Sequence, residues 1–281
     1  MRITTISEFV TFDYSTLSLS NNAFFSAFLS PFVPILAVSL YLLLSRPICT
    51  YISKALNLKP KGVTLQTLTI LHSSLLALYS AWTCFHALKL VGRAVLQQGG
   101  GLYPTLCGSY EDIWVKRGLG FWIFHFYLSK YYEFVDTWII LLKQRDPSFL
   151  QTFHHAGIVI LMWGFVVTGN TAPALVVLCF NSFIHTLMYS YYVMAALNIK
   201  SFLKPYMTSM QIVQFIVGLG ITFQTHFISG CLNEAQNFVL ICMEIYTVAL
   251  VLLFGIFFME SYLRGKKDIG KLKAGDKKKA I

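Results

Sequence analysis

Three histidines lie in stretches of the chain that are otherwise apolar, and they are the residues best suited to chemistry. His154 and His155 are adjacent and follow Gln151 by about one helical turn. His185 lies in the next apolar stretch. An imidazole can act as a nucleophile, a general base or a metal ligand. On a helix, Gln151, His154 and His155 would spread over about 100°, so the pattern predicts one histidine-lined cavity and leaves these roles open.

A lysine and two carboxylates lie in the apolar stretch that precedes the histidine pair. The cluster consists of Lys130, Glu133, Asp136 and Thr137. On one helix these residues would fall within about 120° of a single face. An ionisable side chain in mid-membrane costs roughly 2.5–3.5 kcal/mol on insertion scales, which makes it a candidate for function. The alternative is a cluster at the membrane surface whose lysine reaches the water.

Two further stretches carry a polar stripe on an apolar helix. One stripe is Asn181, His185, Met188, Tyr189 and Tyr192, and the other is Thr208, Gln211 and Gln214. Aromatic stripes more often serve packing, and glutamines in lipid often hydrogen-bond between helices. Polar faces must nevertheless turn away from lipid. The stripes and the two preceding clusters therefore predict an enclosed polar chamber.

The composition indicates that these stretches are membrane spans. Of 281 residues, 56% are hydrophobic and 12% are charged, and the mean hydropathy is +0.63, whereas a soluble domain has roughly 25% charged residues. A span needs about 20 apolar residues, and seven stretches qualify: Phe24–Leu44, Gln66–Leu90, Leu119–Leu142, Phe149–Val167, Ala172–Ala196, Tyr206–Phe227 and Asn237–Phe258. The sequence predicts one all-α membrane domain over residues 1–262 and a Lys-rich tail at 263–281.

The distribution of cations predicts the orientation. Lysines and arginines are concentrated in alternate connections and in the tail, where eight of them face two acidic residues. By the positive-inside rule the tail is cytosolic and the N-terminus lumenal. The net charge of +10 is then a property of the membrane surface, and no nucleic-acid partner is expected. Lys278 and Lys279 resemble a dilysine signal for retrieval to the endoplasmic reticulum, with a solvated basic tail as the alternative.

The polar clusters together resemble the motifs of the ELO-type fatty acid elongases. Lys130–Thr137 resembles the KxxExxDT motif of that family, and Gln151–His155 resembles its histidine box. Asn181–Tyr192 resembles NxxxHxxMYxYY, and Thr208–Gln214 resembles TxxQxxQ. Each motif alone is weak, but four in the order of the family are specific. The box is usually HxxHH, and Gln151 departs from its first position, a variant similar to microbial elongases that act on polyunsaturated chains.

The resemblance implies a fold and a reaction. Six of the seven helices would form a barrel of two three-helix halves around an acyl tunnel, with the first helix outside. The protein would be a very-long-chain 3-oxoacyl-CoA synthase of the endoplasmic reticulum, condensing acyl-CoA with malonyl-CoA to give 3-oxoacyl-CoA, carbon dioxide and CoA. No cofactor is implied beyond these thioesters. The implied partners are membrane lipid, the 3-oxoacyl-CoA reductase, dehydratase and enoyl reductase of the elongation cycle, and a second copy of the chain.

The same resemblance implies roles for individual residues. His154 would attack the acyl thioester to give an acyl-imidazole, while His155 and His185 would move protons or stabilise oxyanions. The candidate hydrogen-bond donors are Asn181, Tyr189, Gln211 and Gln214. The predicted side of the membrane and the charge of Lys130, Lys204 and Arg264 make these three the expected contacts for CoA phosphates. The glutamine of the box favours a polyunsaturated C18–C20 substrate, and the small residues Ala156 and Gly157 would leave room for a bent chain.

Two alternatives come from other classes of protein. A membrane di-iron desaturase also uses histidine boxes, but it needs more clustered imidazoles than the seven histidines of the chain supply. A seven-helix receptor or transporter would bind a ligand without turnover. The polar residues gather in the predicted cytosolic halves of the spans, which argues against a pocket that faces the outside.

Topology and the positions of the cysteines predict one disulfide. Of six cysteines, Cys107 and Cys231 are the two that fall in predicted lumenal connections, and the lumen of the endoplasmic reticulum permits disulfides. Closure of the barrel would place spans two and seven side by side and bring these connections together. We therefore expect a Cys107–Cys231 bridge, with two unpaired lumenal thiols as the alternative.

Overall fold

The described residues of the protein fold into eight principal α-helices, and the structure is a computed structural model. The structure describes residues 2–11, 26–97, 102–108, 110–201 and 203–264. In chain order the helices are α1 Phe32–Ala55, α2 Val63–Gln97, α3 Leu119–Tyr132, α4 Phe134–Leu142, α5 Phe149–Thr168, α6 Thr171–Ala196, α7 Lys204–Phe223 and α8 Glu234–Phe258. Short helical segments lie at Glu8–Thr11, Leu102–Leu106, Tyr110–Lys116, Gln224–Phe227 and Met259–Arg264. Within the described ranges there is no β-strand, which confirms the all-α prediction.

Among the residues that the structure describes, six helical segments are long and apolar enough to cross a membrane. They comprise α1, α2, α5 and α6, together with α7 and α8 extended by the helical segments that follow them. Large apolar side chains such as Leu43 and Leu78 are 73% and 71% exposed on these helices. A surface so rich in exposed apolar groups suits lipid and not water. The chain is therefore a multi-pass membrane protein.

The first span begins and ends later than predicted. The prediction places it at Phe24–Leu44, but the helix runs from Phe32 to Ala55, and the first two residues of the predicted span lie outside the described residues. Arg46, which the prediction places in a connection, lies inside α1. Its guanidinium pairs with Asp146 at 2.7 Å, and both side chains are mostly exposed. A long side chain that carries its charge to the surface lets an apolar helix continue past it.

The third predicted span is two helices in the structure. α3 ends at Tyr132 and α4 begins at Phe134, with Glu133 between them. At this break the Asp136 amide donates to the Glu133 carbonyl (3.1 Å), three residues back instead of four. α3 and α4 have 14 and 9 residues, so neither alone has the length of a span. The single helix over Leu119–Leu142 is therefore a wrong prediction.

The helices follow one another in a continuous order of packing. α2 lies along α6, α6 packs on α7, α7 on α8, and α8 on α5. α5 packs on α3, which together with α4 contacts α2. α1 packs against α4 and α5. Fully buried side chains such as Tyr127, Met162 and Leu175 fill the contacts between α3, α5 and α6, and in lipid such close packing is what holds helices together.

Contacts between the connections define two ends of the bundle. At one end Cys107 and Cys231 form the predicted disulfide, with their Cα atoms 4.7 Å apart; we call this the disulfide end. The N-terminal segment lies there too, because the Ile3 amide donates to the last turn of α5 (3.2 Å). At the other end Lys143, just after α4, donates to Thr69 of α2 (2.5 Å). We call this the basic end.

The disulfide forms by a different route from the one predicted. The prediction places spans two and seven side by side, whereas α6 and α7 separate α2 from α8 in the order of packing. The short helix Leu102–Leu106 instead packs against α6. The hydroxyl of Tyr103 then donates to Gln224, which follows α7. These contacts place Cys107 next to Cys231, which lies in the connection between α7 and α8.

Hydrogen bonds at both ends fix α5, the helix that carries the histidine box. The Ser148 hydroxyl caps the start of α5 by accepting a hydrogen bond from the backbone amide of Gln151 (3.2 Å). At its far end, the Gln236 side chain of α8 donates to the carbonyls of Thr168 and Gly169 (3.2 and 3.1 Å). These are carbonyls that a helix end leaves unpaired. Because α8 satisfies them, α5 is held in register with α8.

Candidate active site

A cavity of about 480 Å³ lies among the helices and extends to the basic end. Twelve residues of the predicted site line it: Asp136, Gln151, His154, His155, Asn181, His185, Met188, Tyr189, Tyr192, Lys204, Gln211 and Gln214. The ring centroids of His154 and His155 are 5.6 Å apart. The four polar stretches thus meet at one cavity, as their helical periodicity predicts.

Lys130 and Glu133 lie behind the wall of this cavity. Lys130 Nζ donates to Glu133 Oε1 (2.6 Å) and to Asn181 Oδ1 (3.0 Å). His185 Nδ1 lies 3.5 Å from the same glutamate oxygen. A buried charge is tolerated when it is paired and hydrogen-bonded in this way. The predicted contact of Lys130 with CoA phosphates is therefore wrong, because the ammonium group is enclosed and faces Glu133.

Asp136 connects the site to a histidine outside the four motifs. Asp136 Oδ2 accepts a hydrogen bond from the Tyr189 hydroxyl (2.7 Å), and Oδ1 lies 2.9 Å from His72 Nε2. His72 is on α2, lines the cavity and is 3% exposed. An ionisable residue within a span is itself a signal of function. That signal could have found His72, although it names no partner for it.

Gln151 links the histidine box to two other helices. Its side-chain amide donates to Thr137 Oγ1 of α4 (3.1 Å). The hydroxyl of Tyr41, on α1, lies 2.8 Å from the same threonine oxygen. Thr137 is 2% exposed and does not line the cavity. It therefore positions the side chain of Gln151 and does not itself contact a substrate there.

A tyrosine of α8 holds His154. The Tyr246 hydroxyl donates to the His154 carbonyl (2.8 Å) and lies 3.1 Å from His154 Nδ1. Gly157 admits this ring, because a β-carbon there would lie 2.4 Å from Tyr246 Cε2. The space that the sequence assigns to a bent acyl chain is therefore filled by Tyr246. No motif surrounds this tyrosine, and sequence reasoning alone misses it.

Three cations line the cavity at the basic end: Lys143, Arg145 and Lys204. Lys204 is one of the predicted phosphate contacts, and the other two were not predicted. Partial burial lowers the pKa of the Lys143 ammonium, and the charge of Arg145 lowers it further. The side chain of Arg264 lies outside the described part of the chain, as do both lysines of the predicted dilysine signal.

A second, narrower cavity continues from the first towards the disulfide end. Its volume is about 60 Å³, and apolar side chains such as Ile158 and Leu219 form most of its wall. His154, Asn181 and Gln214 line both cavities. His154 therefore lies where a cavity with polar and cationic side chains on its wall meets an apolar one. This arrangement suits a ligand with a polar head and a hydrocarbon chain.

The fold and the cavities define the class of the protein: a multi-pass helical membrane protein in which His154 lies between a larger cavity with polar side chains on its wall and a smaller apolar cavity. The chain matches the GNS1/SUR4 family, ELO, over residues 26–269. It belongs to this family of fatty acid elongases, which confirms the resemblance seen in its motifs. Membership in a family of elongases leaves the desaturase and the receptor or transporter without support. Among the described residues, no three His, Cys, Asp or Glu side chains are grouped so that they could hold a metal ion.

Relatives in distant organisms are named as elongases. "Fatty acid elongase sre1" of Dictyostelium discoideum is 32% identical over 224 residues, which cover 78% of this chain and 81% of the relative. "Very long chain fatty acid elongase 3" of Homo sapiens is 31% identical over 214 residues, with 73% and 76% covered. "Fatty acid elongase 2" of Trypanosoma cruzi is 29% identical over 194 residues, with 63% and 67% covered. No solved structure matches the chain.

Proposed function

We propose that the protein is the condensing enzyme of fatty acid elongation, a very-long-chain 3-oxoacyl-CoA synthase. It joins an acyl-CoA to malonyl-CoA and releases carbon dioxide and CoA. The position of His154 at the junction of the two cavities carries the proposal. A thioester bound there has its CoA in the larger cavity, which the three cations line, and its hydrocarbon chain between the walls of the smaller, apolar cavity.

In the first half of the reaction His154 attacks the thioester carbonyl and forms an acyl-imidazole. The carbon–sulfur bond breaks, and CoA leaves as a thiolate that takes up a proton. The oxyanion formed on attack needs a hydrogen-bond donor. Asn181 suits this role, because its carbonyl oxygen is occupied by Lys130 and its amide N–H groups remain for the cavities that it lines.

In the second half malonyl-CoA loses carbon dioxide, and the resulting carbanion attacks the acyl group. His154 is the leaving group and returns to its starting state, so no external cofactor enters the scheme. His155 and His185 line the cavity beside it. Because His155 lines the same cavity as His154, its imidazole is the group that meets the enolate oxygen of decarboxylated malonyl-CoA in this scheme. Glu133, at 3.5 Å, orients His185.

We further propose seven spans, with α3 and α4 forming the third. The order of packing supports a closed barrel of two three-helix halves, α2 with α3–α4 and α5, and α6 with α7 and α8, with α1 outside. The cations of the basic end favour its placement in the cytosol. The N-terminus is then in the lumen of the endoplasmic reticulum, and CoA thioesters enter from the cytosolic side, where the other enzymes of the cycle take the product.

The substrate that we propose is a polyunsaturated C18–C20 acyl-CoA. Its support is the similarity of the Gln151 box to that of microbial elongases with such substrates. The small side chain at Gly157 does not support this choice of substrate, because Tyr246 fills the adjacent space. Lys143, Arg145 and Lys204 are the cations that meet the phosphates of CoA in this arrangement.

Elongation assays on membranes that contain the protein test the proposed function and the proposed substrate. We expect labelled malonyl-CoA and polyunsaturated acyl-CoA to give a labelled 3-oxoacyl-CoA, and we expect the His154→Ala protein to give none. Absence of labelled product with every acyl-CoA of a saturated and polyunsaturated panel would overturn the proposed function. Product from saturated chains alone would overturn the substrate and leave the function standing.

A further inference from the structure

The hydroxyl of Tyr246 makes two contacts with one residue. It lies 2.8 Å from the carbonyl oxygen of His154 and 3.1 Å from its Nδ1. The ring stacks on Phe153, with centroids 5.3 Å apart, and it is 8% exposed. A buried tyrosine held on its faces and at its hydroxyl has little freedom to turn.

The direction of these two hydrogen bonds determines where the imidazole proton lies. A carbonyl oxygen can only accept, so the single hydroxyl proton of Tyr246 is used in the bond to the His154 carbonyl. The tyrosine oxygen can then only accept from Nδ1, which must carry a hydrogen. A neutral imidazole has one proton to place. His154 Nε2 therefore keeps its lone pair.

We infer that Tyr246 is a positioning residue that holds His154 in the Nδ1–H tautomer and makes Nε2 the nucleophile. This inference rests on the proposed function. When Nε2 attacks the thioester, its lone pair forms the bond to the acyl carbon and the electrons of the carbon–sulfur bond leave with CoA. The ring becomes an acyl-imidazolium, and its Nδ1–H remains bonded to Tyr246. The tyrosine thus orients the ring and stabilises the positive charge that forms on it.

Gly157 also contributes to the position of Tyr246 beside His154. It lies one turn after His154 on α5, and its missing side chain is what lets the tyrosine ring approach. A β-carbon at this position would lie 2.4 Å from Cε2 and 3.0 Å from Cδ2 of Tyr246. Real β-carbons do not approach so closely, so Gly157→Ala must displace the ring of Tyr246 and its hydroxyl. The substitution tests the position of the ring with the tyrosine still present.

The experiment measures the first half-reaction and the tautomer separately on purified full-length protein. Acyl-CoA alone is mixed with wild-type, Tyr246→Phe and Gly157→Ala protein, and released CoA is followed over the first turnover. We expect both variants to release CoA at least about tenfold more slowly, since one buried hydrogen bond is worth about that factor. Tyr51→Phe is the matched control, because Tyr51 is 73% exposed on α1. It should react as the wild type does.

Nitrogen NMR of ¹⁵N-histidine-labelled protein reads the tautomer, with the His154→Ala spectrum identifying the signals of His154. We expect a protonated Nδ1 in the wild type and a mixture of tautomers in Tyr246→Phe. Wild-type rates in either variant, or a protonated Nε2 in the wild type, would overturn the inference. If the wild type releases no CoA from acyl-CoA alone, the acyl-imidazole step of the proposed function fails, and the spectrum still decides the tautomer.

Discussion

Lys130 Nζ lies 2.6 Å from Glu133 Oε1, and neither side chain is more than 2% exposed. The lysine ammonium also donates a hydrogen bond to Asn181 Oδ1, and the Glu133 carboxylate lies 3.5 Å from His185 Nδ1. Because an unpaired charge within a membrane is costly, each of these ions is tolerated only with the other. The pair is a support that holds an asparagine and a histidine in the wall of the cavity.

Removal of one member of this pair is expected to destabilise the protein. Lys130→Met leaves Glu133 as a buried carboxylate without its partner, a change that typically costs about 3–5 kcal/mol. We expect a much lower melting temperature in detergent, partly recovered by Lys130→Met with Glu133→Leu. Arg46→Met is the control, since it breaks a pair whose side chains are 64% and 79% exposed and such pairs contribute little. Equal melting temperatures for the Lys130 and Arg46 variants would contradict this role.

The two box histidines are expected to fail at different steps. We expect His154→Ala to release no CoA from acyl-CoA alone, because it lacks the nucleophile. His155→Ala should still release CoA but form no 3-oxoacyl-CoA, because it lacks a group for the second half-reaction. Both proteins should remain folded. The control is His86→Ala, since His86 stacks on Trp122 (centroids 4.3 Å apart) and does not line the cavity.

The first position of the histidine box is expected to tolerate a donor and to reject an apolar side chain. Gln151 donates to Thr137 (3.1 Å), and the N–H of an imidazole can replace that amide. We therefore expect Gln151→His to retain activity and Gln151→Leu to lower kcat about tenfold, the factor that corresponds to one buried hydrogen bond. Steady-state assays compare the two. A Leu variant as active as the His variant would mean that the bond to Thr137 has no part in turnover.

Periodicity along single helices could predict much of this site. Asn181, His185 and Tyr189 lie on one uninterrupted helix, so their shared face is also the face that meets the cavity. The same reasoning misplaces Lys130, because periodicity cannot distinguish the lining of a cavity from the layer behind it. It also assumes a continuous helix, and the break at Glu133 removes that assumption.

His72 and Tyr246 show what periodicity cannot reach. His72 meets Asp136 from 64 residues away, and Tyr246 meets His154 from 92 residues away. A lone polar residue in an apolar span signals function, but its partner depends on which helices pack together. That order follows from the shapes of many apolar side chains, which a single sequence does not translate into neighbours.

The cations of the basic end are expected to act on substrate binding and not on turnover. Removing two of them, in the Lys143→Gln and Arg145→Gln double variant, should raise KM for acyl-CoA several-fold and weaken its salt dependence, since charge-assisted bonds to phosphates are lost. kcat should change little. Lys59→Gln, in the exposed α1–α2 connection, is the control. A fall in kcat at unchanged KM would place these cations in the chemistry instead.

The pH dependence of binding follows from the lowered pKa of Lys143. Its ammonium loses its proton at a lower pH than that of an ordinary lysine, so its attraction for phosphate is lost as the pH rises through that lowered pKa. We expect KM for acyl-CoA to rise on the alkaline side in the wild type. The rise should be smaller in Lys143→Gln. Identical pH profiles of KM would contradict this role.

The Cys107–Cys231 disulfide is expected to stabilise the disulfide end without affecting the reaction. It closes a segment of the chain across a sequence separation of 124 residues, for which loop-closure entropy allows at most about 5 kcal/mol. We expect Cys107→Ser with Cys231→Ser to lower the melting temperature and to leave kcat and KM unchanged, because the bridge is at the opposite end of the bundle from the basic end.

Thiol labelling of denatured, non-reduced protein tests whether the bridge is present. Two of the six cysteines are in the bridge, so four should react with the label. In Cys84→Ser, three should react. Labelling of all six in the wild type would show that the bridge is absent.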